Sequence, residues 1–580
     1  MTEPQHAVIA RLSTDFAALS AQLARASADL TELDRLLAPS PPPQQRTRPY
    51  APPVTYPPPH VAPVPYPPPP APKPPRDDGW IGKLLAIAGV AVTLIGVVFL
   101  LVLAAQAGML RPEIRVAAGA ALAGGLAAAG WWLYPRLGGR VGAVSLMATG
   151  IAAAYMDVIA VTSIYGWVSA PVGLVIAATI AGAGLAVSRR WDSEQLGLLV
   201  LVPLLVLAPV VVGGVTLLLV AFMLALSAAS LPVQIGKDWL WLHAARIAAV
   251  TLPLLVALVG VYFDAGRDRW LAGATGIAAL LAIAGALILL PGTANKPVMA
   301  VLTGAGVLPV LSVALAVDRV TAALMAAALA AALLALVVVG DRLPGLDRAV
   351  RRIWAVLSAV CALIGVLAAF EGPITGPVLL AMALVVAATG RRHMTARAIS
   401  IGFALIGAAC YLSWAPPYTL LWGTATSAAV GVSTLVASVL LMAWSVVVAW
   451  SFPRRNSATW AGAAAVTGYA LTTFAVTAGV LAAGTDSGFY AGHMAATICW
   501  IALAAALFGY AAKLPRTGRS LPIGGGLALV AAAMTKLFLF DLGTLDGIFR
   551  VVVFIVVGLV LLGMGAGYAR LLDKQDQQNA

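Results

Sequence analysis

Six ionisable side chains stand within or at the ends of long apolar runs. Asp157 lies in LMATGIAAAYMDVIAVTSIYG. His493 precedes an apolar stretch, and Lys536, Asp541, Asp546 and Arg550 follow one another in MTKLFLFDLGTLDGIFR. An ionisable group in a bilayer is costly and marks either an internal polar site or a structural pair. Asp157 and Lys536 are expected in the outer halves of their spans, at comparable depth and with opposite charge. One reading is an ion pair that neutralises both groups and only fixes helix packing. The other is a polar pocket, open to the outer leaflet, that binds an anionic or sugar-containing head group. His493 fits either a hydrogen-bonded interfacial histidine or a member of that pocket. Glu371, in FEGPITGP, and Asp318 read as carboxylates at outer helix ends.

The composition explains why so few polar groups carry so much meaning. The 580 residues are 61% hydrophobic and 10% charged, with a mean hydropathy of +0.95. A soluble domain is about 45–50% apolar and about 25% charged, so this inventory cannot cover a water-facing surface. A single soluble enzyme is excluded. No phosphate-binding GxxxxGK[ST] loop, HExxH, CxxC or GxSxG with a plausible triad is present. Cys361, Cys410 and Cys499 lie in apolar runs and read as small hydrophobes. No metal site and no cofactor are expected.

A helical span needs about 20 apolar residues. Dividing residues 80–572 at charges, Pro/Gly clusters and aromatic belts yields about 18 spans, the first at 83–105 and the last at 547–569. The expected fold is therefore an all-α polytopic membrane bundle. The N-terminus, MTEPQHAVIARLSTDF, carries no signal peptide and is expected in the cytoplasm. On that topology 21 Lys and Arg, Arg246 among them, fall in cytoplasmic connections and the C-terminal tail, against 6 in outer connections. Such a bias is the positive-inside pattern of a plasma (inner) membrane protein with both termini cytoplasmic. It also accounts for the net charge of +13 without a nucleic-acid partner.

Ahead of the spans, Leu12, Phe16, Leu19, Leu23, Ala26, Leu30, Leu33 and Leu37 recur at a period of 3.5 residues. Residues 1–38 thus read as a cytoplasmic coiled-coil helix, able to bind a second copy or a partner helix through 7–38. The alternative is an amphipathic helix on the membrane. Residues 39–79 read as a proline-rich spacer, 19 of the 38 prolines falling within 39–76, and 573–580 as a polar tail.

Two segments carry a family resemblance: GKLLAIAGVAVTLIGVVFLLVLAAQAGMLRPEIRVAAGAALAGGLAAAGWWL and TKLFLFDLGTLDGIFRVVVFIVVGLVLLGMGAGYARL. With the N-terminal coiled coil and proline-rich linker, they resemble the bacterial predicted membrane proteins grouped as domain of unknown function 2339. The family's C-terminal pattern matches Lys536, Asp541, Leu545 and Arg550. The resemblance implies a many-helix bacterial envelope protein, and the Ala-, Arg- and Pro-rich composition looks actinobacterial.

Three functions are compatible with these features. The first is a transporter or flippase-like protein handling an envelope lipid or glycan precursor, with membrane lipid as its partner. The second is an integral-membrane transferase acting at the outer leaflet through Asp157, Lys536, Asp541 and Arg550. The third is a non-catalytic scaffold for envelope-synthesis partners.

Overall fold

Hydrophobic stretches of this length fold as helices because a backbone without water must satisfy its own N–H and C=O groups. The computed structural model describes Val92, Gly96 and residues 111–579, apart from 137–138, 264–267, 392, 453–456, 515–518 and 545–546. The expected coiled coil, the spacer and nearly all of the first span therefore lie outside the described residues, as does Asp546.

All regular elements among the described residues are helices. It runs α1 (Pro112–Leu133), α2 (Arg140–Ile159), α3 (Ala170–Trp191), α4 (Glu194–Val212), α5 (Leu217–Gln234), α6 (Leu240–Phe263) and α7 (Arg269–Leu289). Next come α8 (Lys296–Leu311), α9 (Arg319–Val339), α10 (Arg348–Ala369), α11 (Thr375–Thr389) and α12 (Met394–Trp414). The last are α13 (Ala428–Ser451), α14 (Ser457–Ala483), α15 (Phe489–Lys513), α16 (Ser520–Lys536) and α17 (Gly547–Asn579). By length and composition, 15 helical segments among the described residues can cross a membrane, and one of these, 458–513, comprises both α14 and α15. A shorter apolar stretch, Gly547–Gly563, adds to them.

Local chemistry sets the helix ends. Ser193, Thr216, Asp318, Asp347 and Ser427 each accept a backbone N–H from the first turn of the helix that follows. Gly213 ends α4 with φ 78°, a left-handed conformation in which a side chain would be strained.

Small residues bring the helices together. In the α1–α2 hairpin, a Cβ on Gly130 would lie 2.9 Å from the Ala143 carbonyl oxygen, and one on Gly150 would lie 2.8 Å from that of Ala123. This antiparallel pairing needs bare backbone on both helices. The outward surface shows the reverse chemistry: Val206, Leu280, Leu324 and Leu559 are 63–70% exposed. Buried Ala, Gly and hydroxyl residues let the helices approach, and Leu, Met and aromatic side chains such as Leu204, Met223, Tyr155 and Trp354 fill the space between them.

Contacts between connections define two rims. On the first, Tyr134 Oη donates to the Trp191 carbonyl, Arg189 Nη1 to the Pro232 carbonyl at 2.7 Å, and Thr293 Oγ1 to Asp238 Oδ1. Gly345 closes against Leu290 and Pro291, and Arg397 Nη2 donates to the Ser451 carbonyl at 2.8 Å. On the second rim, Asp268 N–H donates to the Ala316 carbonyl, Arg319 pairs with Glu371, and Ser433 Oγ donates to the Pro373 carbonyl. Gly423 lies against Thr485 on that same rim. The connections alternate between the rims in chain order, as a chain of consecutive spans requires. The first rim gathers the Arg and Lys residues, with the Arg136 guanidinium 3.1 Å from the Trp132 ring centroid and Tyr134 stacked on Trp191.

Candidate functional site

Among the described residues, three helices abandon α geometry for single π turns: Ala160–Ile164 after α2, Gly484–Gly488 between α14 and α15, and Leu537–Asp541 after α16. All three lie towards the second rim. Single π turns inside helices often mark functional positions because they displace a side chain from its α register. The turn at 537–541 shows how. In an α-helix, residues five apart are about 140° around the axis from one another. The i→i+5 bonding of a π turn brings them onto one face.

Lys536 and Asp541 meet there, Nζ to Oδ1 at 2.5 Å. Asp541 is 0% exposed and the Lys536 side chain 13%, so solvent screens the pair weakly. Both charges are further satisfied by α15. Thr497 Oγ1 donates its single proton to Asp541 Oδ2 at 2.6 Å and accepts from Lys536 Nζ at 2.7 Å. The His493 carbonyl accepts from the same ammonium at 3.3 Å.

His493 lies one turn away, buried between aromatic rings. Its imidazole centroid is 4.6 Å from that of Phe489 and 4.8 Å from that of Phe540. Neither ring nitrogen makes a hydrogen bond of regular geometry, although the Leu420 carbonyl faces the ring. Arg550 stands in the first turn of α17, beside Phe549, whose ring is 6.4 Å from that of Tyr490 on α15.

The expected Asp157–Lys536 pairing is not formed. Lys536 is held by Asp541, and Asp157 faces α1, where a Cβ on Gly119 would lie 2.3 Å from its Oδ1. Asp157 Oδ2 is buried without a hydrogen-bond partner among the described residues. The carboxylate lines an open-sided cavity of about 490 Å³ between α1, α2 and α3, walled by Ala123, Gly124, Ala127, Gly150 and Ala154. One acid in an otherwise apolar cleft suits an amphipathic molecule better than an ion.

Four expected site residues thus fall at one end of the bundle: His493, Lys536 and Asp541 in direct or one-residue contact, and Arg550 at the adjoining helix start. Asp157 belongs to a separate cleft. Sequence reasoning missed Thr497, although its i+4 spacing from His493 places it on the same helix face. A second misplacement concerns Arg246, expected in a cytoplasmic connection. It lies inside α6 and is 3% exposed, because α6 begins at Leu240 rather than at Arg246.

Residues 373–571 match the model of a family described as predicted membrane protein (DUF2339). The matched region runs from the start of α11 into α17 and contains the whole Lys536–Asp541–Thr497–His493 cluster. No curated protein and no solved structure matches the chain. Together with the apolar helices, the family match makes this a multi-pass membrane protein.

Proposed function

We propose that the protein is a transporter or flippase-like carrier in the bacterial inner membrane that handles an envelope lipid or glycan precursor with an anionic head group. The observation that carries this reading is the Lys536–Asp541–Thr497–His493 cluster, a charged site buried among apolar spans whose lysine and aspartate are brought together by a π turn. A purely structural helix pair needs no such break. An anionic head group can take the place of Asp541 beside the Lys536 ammonium, while the lipid tails stay in the bilayer. The small-residue cleft at Asp157 offers a lateral surface where such a molecule can lie. The basic first rim faces the cytoplasm on this reading, and the cluster serves the outer leaflet. A coiled coil at residues 7–38 would bring in a second copy or a partner helix.

The test is lipid movement in liposomes containing the full chain and phosphatidylglycerol bearing a nitrobenzoxadiazole dye. Dithionite bleaches only outer-leaflet dye, leaving roughly half protected when lipids do not cross. The reading expects the protected fraction to fall towards zero, and to return towards half with Lys536→Ala. A protected fraction equal to that of protein-free liposomes overturns it. Covalent alteration of the labelled lipid, seen by thin-layer chromatography, would replace it with the transferase.

A further inference from the structure

A second buried charge sits far along the chain from the cluster above. Arg246 projects from α6 between α5, α7 and α8, and takes part in no ion pair among the described residues. Its Nη2 lies 2.9 Å from His243 Nδ1, an arrangement that uses the imidazole as a neutral acceptor and leaves the cation uncompensated. Its Nε is buried without a partner. The two carboxylates nearest the start of α6 are committed elsewhere. Glu194 Oε1 accepts the Trp241 and Leu242 N–H groups at 2.6 and 3.1 Å, and Asp238 accepts from Thr293 Oγ1 and the Ala294 N–H. Isolated buried cations are costly enough that proteins pair them with an opposite charge.

The surroundings make room for one. Gly285 on α7 admits the guanidinium, since a Cβ there would lie 2.5 Å from Nη2. Beside it is a cavity of about 10 Å³, lined by Ser227, Arg246, Thr251, Ala278, Ala282 and Gly306. That volume is about that of one water molecule, and a chloride ion, somewhat larger, enters when the lining side chains give by a few tenths of an ångström. Carboxylates, phosphates and organic anions are too large. Thr251 spends its hydroxyl proton on the Ile247 carbonyl at 3.1 Å, which leaves Ser227 as the hydroxyl donor in the lining.

We propose that Arg246 and Ser227 form an internal binding site for a single monoatomic anion of the chloride class, which neutralises the buried guanidinium. The anion accepts from Arg246 on α6 and from the Ser227 hydroxyl on α5, and so ties these helices together. A water molecule fits the same space but leaves the charge unbalanced.

The test uses the full chain in detergent micelles at constant ionic strength, with sodium chloride exchanged for sodium gluconate, whose anion is too large to enter. Thermal unfolding is followed by tryptophan fluorescence. Tm should rise saturably with chloride. Ser227→Ala should raise the half-saturating concentration about tenfold, the loss of one hydrogen bond to a charged group. Arg246→Gln should abolish the chloride dependence. If Arg246→Gln does not fold, Ser227→Ala decides. Equal Tm in chloride and gluconate, or an unchanged half-saturating concentration in Ser227→Ala, overturns the proposal and leaves water as the occupant.

Discussion

Removing one member of the Lys536–Asp541 pair should cost far more than removing the hydroxyl that bridges them. Asp541 is 0% exposed and accepts from both Lys536 Nζ at 2.5 Å and Thr497 Oγ1 at 2.6 Å. Asp541→Asn leaves the ammonium buried with neutral acceptors alone: the new amide oxygen, the Thr497 hydroxyl and the His493 carbonyl. Breaking a buried pair in this way costs about 3–5 kcal/mol. Lys536→Met strands the carboxylate and should cost a similar amount. Thr497→Val removes hydrogen bonds alone, and such bonds between membrane helices average about 0.6 and reach about 1.7 kcal/mol. Replacing both charges, as in Lys536→Met with Asp541→Leu, removes the stranded charge and should recover most of the loss. With Asp541→Leu as the matching single variant, the coupling is then several kcal/mol, the two single losses together less the small loss of the double variant. The assay is a double-mutant cycle on the full chain in micelles, unfolded with sodium dodecyl sulfate and followed by fluorescence. Additive single-variant losses, or a Thr497→Val loss as large as that of Asp541→Asn, would refute the view that the two charges compensate one another.

Asp157→Leu should leave thermal stability intact or raised, because it removes a carboxylate oxygen buried without a partner, while lowering lipid movement in the dithionite assay. Unchanged movement would remove Asp157 from the machinery. Gly492→Ala should destabilise by about 1–3 kcal/mol, since its Cβ would meet the Val476 Cα at 2.6 Å and the Ala475 carbonyl at 2.7 Å, backbone atoms that cannot turn aside. Gly468→Ala, facing only the Trp500 side chain at 3.4 Å, serves as the mild control in the same unfolding measurement. Asp318 accepts the Thr321 N–H, which holds its carboxyl below the ordinary carboxylate range. A lowered folded-state value means that the cap's contribution is present above the unfolded value and is lost as pH falls through the lowered one. The Tm values of wild type and Asp318→Ala should therefore differ at neutral pH and converge in strong acid.

Much of the architecture was legible in the linear chain. Whether a stretch can cross a membrane depends on its own length and hydropathy, and each expected span after the first has a helix, most at nearly the same bounds, although α6 starts at Leu240 instead of Arg246 and α17 runs on to Asn579. The alternation of basic and less basic connections was legible for the same reason: it depends only on the order of spans. The family resemblance was carried by two short contiguous segments, of which the C-terminal one lies within the matched region 373–571 and the one at 82–133 lies outside it.

Side-chain partnership was not legible, because it depends on rotation about helix axes and on which helices pack. Lys536 and Asp541 are five residues apart and would point about 140° away from one another on an α-helix. Only the π turn at 537–541 puts them in contact, so opposite charge alone led to the wrong partner in Asp157. Arg246 was placed at a boundary because hydropathy treats any arginine as an end of a span. Its depth was decided by Gly285 on α7, which clears space for a guanidinium that a side chain would have excluded. The sequence alone therefore determined which segments enter the membrane and in what order. The tertiary structure decided which of the few charges they carry are neutralised, and by whom, since that balance is struck between atoms brought together only by packing.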